Sequence, residues 1–183
     1  GVQTCALPIS IDLQGNTLGA VSWEDVASSA ESRVAIDLGV PLTSPWFNAG
    51  VLLFDVRRWS ELSYTTAFLE MGEKYASRFS GGDQPIYNFL LVNDIFRIPR
   101  KYNKLVHANR KERVEIGDGN YHFLGRPKPW AKLGWCNSCY SLYLSLVAPE
   151  LRGKISSINE EDASGKPWRL VKFLFRYLFG KLR

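Results

Sequence analysis

The sequence predicts an α/β fold that supplies part of a sheet rather than a whole one. Three observations lead there. Apolar runs of strand length alternate with segments of helical spacing. No internal repeat is present. The strands are few for a chain of 183 residues, which is long enough for one domain with a real core.

Taken in order, Leu18–Trp23 is a short apolar strand, and Glu24–Leu38 is helix or loop ending before Gly39 and Pro41. Asn48–Val56 is a continuous apolar run, the pattern of a strand buried on both faces. A turn through Arg57–Leu62 precedes a helix from about Ser63 to Phe79, where Phe68, Met71 and Tyr75 recur at helical spacing. Gly81-Gly82 breaks it. Asp83 to about Val92 reads as a helix with Pro85 in its first turn, where a missing N–H costs little. Asp94–Ile98 is a short strand closed by Pro99. Glu112–Asn120 is a loop, Tyr121–Leu124 a strand, and Ser138–Val147 a helix. Asn159–Lys166 is a polar linker before a basic tail.

Hydrophobic residues make up 45% and charged residues 22%, ordinary values for a globular protein. No run approaches the roughly 18 apolar residues of a membrane span, and no signal peptide is recognisable, so a cytoplasmic location is expected. The net charge of +5 is local. Residues 166–183 hold six basic side chains and no acid, which leaves 17 basic against 18 acidic residues elsewhere. That distribution argues against a nucleic-acid groove. On a helix from Pro167, Arg169, Lys172, Arg176 and Arg183 share an arc of roughly 60°, with apolar and aromatic side chains around the rest. Such a helix suits an anionic membrane surface, and docking on protein is the alternative. Cys136 and Cys139 form a lone C-x-x-C without the second pair or histidines of a zinc site, so reduced cysteines near a helix start are expected.

Three clusters carry chemistry: Phe47-Asn48-Ala49-Gly50, then Gly82-Asp83-Gln84-Pro85-Ile86-Tyr87-Asn88, then His122-Phe123-Leu124-Gly125-Arg126-Pro127-Lys128-Pro129-Trp130. Each has a plain structural alternative. Asn48 suits a turn, Asp83 a helix N-cap, and His122 a core histidine. The third cluster puts an imidazole, a glycine and a proline-flanked lysine within seven residues. Those are the parts for a metal ligand, a close backbone approach to an anion, and a point charge for phosphate.

In this order the clusters resemble the family 8 retaining glycosyltransferases, from about Ile11 to Trp130 and more weakly to Glu150. The resemblance implies a GT-A-like fold and a UDP-hexose donor of galactose or glucose. It implies His122 as a manganese (Mn2+) ligand, and Gly125 and Lys128 at the diphosphate. Asp83 and Gln84 are implied beside the transferred sugar, and Asn48 in the same pocket. Gln84 would meet the anomeric carbon with its amide oxygen, and Asn88 would position the motif. The implied acceptor is a glycan or lipid-linked sugar, as in lipopolysaccharide biosynthesis. The family's Asp-x-Asp metal ligands occur nowhere in the sequence. Residues 1–10 resemble one frame of a sequencing adapter. The expectation is therefore a chain whose natural sequence starts near Ile11, lacking the nucleotide-binding half and inactive alone. Its expected division is 11–150 catalytic portion, 151–165 linker and 166–183 membrane-associating tail. A glucosyltransferase acting on protein or a soluble sugar, or a non-catalytic carbohydrate- or membrane-binding remnant, are the alternatives.

Overall fold

The computed structural model describes residues 8–80, 82–108, 117, 119–131, 134 and 137–153. The first seven residues, most of the Glu112–Asn120 loop, Cys136, the linker beyond residue 153 and the basic tail lie outside the described residues. The chain divides into two compact units, residues 1–104 with 118–121 and residues 105–117 with 122–183.

The first unit is built on a three-stranded sheet, order β2-β1-β3. β1 (Leu18–Asp25) is central and buried over its first five residues, with Leu18 and Ala20 fully enclosed. β2 (Pro45–Phe54) runs antiparallel to it, and β3 (Ile95–Arg97) parallel. A short 3-10 turn and α1 (Ser32–Asp37) follow β1, as helix or loop over Glu24–Leu38 anticipates. The sheet is covered by α2 (Val56–Glu61), α3 (Tyr64–Tyr75) and α4 (Gln84–Leu90). Two packing clusters result. Val26, Val34, Ala35, Trp46 and Phe89 form the buried core, with Met71 and Phe79 against it. Phe54, Trp59, Phe68 and Tyr87 form an aromatic group in which the Phe68 and Tyr87 rings lie 4.7 Å apart.

Two expectations are corrected. The apolar run at 48–56 is not a strand buried on both faces. β2 begins three residues earlier, ends at Phe54, and borders the sheet of described strands, with only Trp46–Asn48 buried. Its Val-Leu-Leu-Phe stretch is half-covered by side chains from α2 to α4, which imitates two-sided burial in the sequence. The turn at Arg57–Leu62 is α2. Asp55 caps it, its carboxylate accepting from Arg58 N at 2.9 Å, and that cap carries the chain straight from strand into helix.

Asp94 closes the sheet's lower end. It accepts from Thr17 N (2.9 Å), Thr17 Oγ1 (2.5 Å) and Tyr64 OH (2.9 Å), with the Arg58 guanidinium 3.6 Å away. Burial works against its charge, but the Thr17 and Tyr64 hydrogen bonds and Arg58 outweigh it and hold the carboxyl below its ordinary value. A depressed carboxylate stabilises the fold above the unfolded value of about 3.9, and that contribution disappears as pH falls through the folded one. Asp94→Asn is expected to lower Tm at neutral pH and flatten its acid limb. Parallel Tm–pH curves for the two proteins would contradict this.

The second unit contains most of a two-stranded sheet, β4 (Lys104–His107) with β5 (Tyr121–Leu124), and α5 (Tyr140–Leu146). Cys139 occupies the N-cap position of α5 as a buried free thiol, matching the expected reduced cysteine at a helix start. Phe123, Trp130 and Tyr143 pack edge-on or tilted with centroids 5.8–6.0 Å apart.

Candidate functional site

In the first unit the structure joins two of the three sequence clusters. Asn88 faces β2 from the fourth residue position after Gln84, one helical turn on. Its Oδ1 accepts from Phe47 N at 2.7 Å, and its Nδ2 donates to Phe47 O and to Gln84 O, both at 2.9 Å. The pair of bonds to Phe47 imitates a neighbouring strand and ties α4 to β2. Gln84 reaches the next residues of the same strand, its Oε1 accepting from Asn48 Nδ2 and Ala49 N, each at 3.1 Å. Asn48 Oδ1 accepts from Gly50 N at 2.9 Å and from Asn103 Nδ2 at 2.8 Å. Asn48, Asn88 and Asn103 are all buried, and such polar groups survive burial only when bonded in this way.

Asp83 lies at the N-cap position of α4 but makes no capping bond, so the cap alternative for its carboxylate is not what the structure contains. It is exposed, and its charge, added to burial, pushes the Tyr87 phenol up. Beside this cluster lies an open cleft of about 520 Å³, lined by Trp23, Glu24, Asp25, Arg97 and Arg100 among others. Ser22, also in its wall, pairs with Phe47, the residue before Asn48.

His122, Gly125 and Lys128 belong to the second unit. His122 is on β5, and the strand ends at Leu124 before Gly125 in the left-handed region at φ 76°. A side chain at 125 would also meet Ala108 Cβ at 3.3 Å, so glycine is required on two grounds. The chain then passes a cis Arg126–Pro127 bond and returns Lys128 to β5, where its ammonium donates to Phe123 O. Two of the three ammonium donors are left over from that bond. The ammonium also sits 5.9 Å from the Trp130 ring centroid. Asn137 secures the turn, donating to Pro127 O and accepting from Cys139 N, both at 2.8 Å.

Burial, and after it the Lys128 charge, lower the His122 pKa from its ordinary 6.5. The folded imidazole therefore binds protons more weakly than the unfolded one. Its neutrality costs no stability above about 6.5 and destabilises the fold as pH drops below that. Lys128→Met is expected to raise the His122 titration midpoint, followed by imidazole proton NMR, while burial keeps it below the ordinary value. An unchanged midpoint would mean that the two groups do not sense each other.

Manganese, the ion the resemblance implies, does not fit the described residues by themselves. They gather no group of three His, Cys, Asp or Glu side chains, and His122 offers a single imidazole. Sequence reasoning missed Asn103 and Asn137. Asn103 follows a basic 3-10 turn with no local signal of its own, and only the folded strand order brings it under Asn48.

This architecture is part of a glycosyltransferase fold. The structure of the galactosyltransferase LgtC with donor and acceptor sugar analogues superposes with a TM-score of 0.54 at 24% identity, over 79% of this chain and 58% of that one. The description of glycosyl transferase family 8 matches residues 8–134, and the chain belongs to that family. Among curated relatives, a lipopolysaccharide 1,2-glucosyltransferase of Escherichia coli K12 is 26% identical over 119 residues, 60% of this chain and 35% of the relative. Glycosyltransferase GlyF of Streptococcus pneumoniae is 29% identical over 170 residues, 88% of this chain and 39% of the relative. The chain thus spans between a third and two fifths of the length of these relatives. Among the described residues no helix is long and apolar enough to cross a membrane.

Proposed function

We propose that the protein containing this chain transfers a hexose, galactose or glucose, from a UDP-sugar to a glycan of the cell surface, with retention of configuration. The observation that carries this reading is the Gln84 side chain bonded to Asn48 and Ala49, which makes one polar surface of two motifs that are 36 residues apart in sequence. Family membership supplies the class of reaction, and the names of the lipopolysaccharide transferases support that class of acceptor.

In this reading Asp83, Gln84 and Asn48 face the transferred sugar, and the cleft bounded by Trp23, Arg97 and Arg100 receives the acceptor. Gly125 and Lys128 meet the diphosphate, where Lys128 offsets the negative charge that grows on the departing UDP. Losing such a preorganised charge typically costs on the order of 10²-fold in rate. His122 is one ligand of a divalent ion whose other ligands are outside the described residues. The basic tail at 166–183 holds the protein against the anionic inner face of the cytoplasmic membrane.

The test is transfer of labelled hexose from UDP-galactose and UDP-glucose by the complete gene product, with anomeric configuration read by NMR. Lys128→Met is expected to lower kcat/KM about 100-fold. Transfer unaffected by Lys128→Met, or an inverted product, would overturn the assignment. Flotation with anionic vesicles, with and without residues 166–183, tests the tail separately; equal binding by both would remove it.

A further inference from the structure

The amides around Gln84 have a fixed sense, set by groups that can only donate. Ala49 N is a backbone N–H, so the Gln84 atom 3.1 Å from it is the oxygen, and Nε2 turns the other way. Gly50 N fixes Asn48 likewise, placing Asn48 Oδ1 towards Gly50 and Nδ2 towards Gln84. Asn103 Nδ2 adds the second donor to Asn48 Oδ1. A carbonyl oxygen has two lone pairs, and both of those on Gln84 Oε1 are engaged. Gln84 Nε2 donates to none of the described residues, and its side chain is half-buried rather than enclosed.

The geometry points to Gln84 presenting an amide N–H, not its carbonyl oxygen, to the substrate, with Asn103 as the positioning residue that holds this sense through Asn48. The group Gln84 meets is then an acceptor oxygen, a hydroxyl or ring oxygen of a sugar. Asn103 is 1% exposed, so it acts only through Asn48. This rests on the proposed function for the statement that the substrate is a sugar. The sense of the amides stands apart from it.

Two measurements separate these. The first, on the 183-residue chain, is long-range coupling across the hydrogen bond from Ala49 N to the Gln84 side-chain carbonyl carbon. A cross-peak is expected, and its absence from a folded protein overturns the proposal. The second is Asn103→Asp in the complete gene product. A carboxyl at 103 can donate to Asn48 only while protonated, and burial raises its pKa. The variant is expected to lose kcat about tenfold as pH rises between about 5 and 9, beyond any change in wild type, with KM for the UDP-sugar within about twofold. A pH profile parallel to wild type, or a loss confined to KM, overturns the positioning role. Wild-type protein that transfers no hexose sinks the proposed function, whereas the cross-peak still decides the amide sense.

Discussion

Asn88→Ala is expected to destabilise the first unit by about 3–5 kcal/mol, because it strands buried backbone groups that nothing else can reach. Phe47 N and O both bond to Asn88, and Phe47 itself is 4% exposed. Each buried group left unbonded costs about 1–3 kcal/mol, and the carbonyl of Gln84 loses a partner as well. Set against a typical total of about 5–15 kcal/mol, this is a large fraction of the stability. Urea unfolding followed by circular dichroism measures it. A loss under about 1 kcal/mol would mean that water replaces the amide, and that Asn88 does not tie α4 to β2.

Gly134→Ala is expected to have a comparable effect on the second unit. A Cβ at 134 would stand 2.1 Å from Pro129 O and 3.0 Å from Lys128 O. Both are backbone atoms, so no side chain can swing aside. The same turn is closed by Ala131 N to Lys128 O at 3.0 Å and Gly134 N to Ala131 O at 2.7 Å. Relief therefore has to move Lys128 and Pro129. A destabilisation of about 3 kcal/mol is expected, together with a shifted Trp130 indole resonance and weaker binding of UDP. An alanine variant with wild-type stability and an unshifted indole signal would show that the turn has room elsewhere.

The parts of the fold legible in the sequence are those that local rules determine. β5 spans the four residues Tyr121–Leu124 as expected, β1 begins at Leu18, and α4 starts beside Asp83 with Pro85 in its first turn. Such segments have their periods and breakers next to one another. β2 was misread because apolar content reports burial without saying what provides it. A sheet on one side and aromatic rings at 59, 68 and 87 leave the same pattern as burial in a central strand. α2 was missed because its first turn depends on one capping bond from Asp55. The site divides in the same way. Asn48 and Gln84 were legible through their motifs, and their contact is observed. Asn103 becomes visible only when the 3-10 turn after β3 brings it beside β2.

The parallel pairing of β1 with β3 bears on synthesis. Leu18 pairs with Ile95, and Thr17 bonds to Asp94, 77 residues further on. A ribosome adding about 5–20 residues per second leaves that edge of β1 without its partner for about 4–15 s. The nascent strand, a sticky run from Leu18 to Ser22, can meanwhile recruit β2 on its other side, since Pro45–Phe54 emerges sooner. Crowded translation or a stall before residue 94 therefore leaves a two-stranded intermediate with one open edge, and that species is the one on which a chaperone would act.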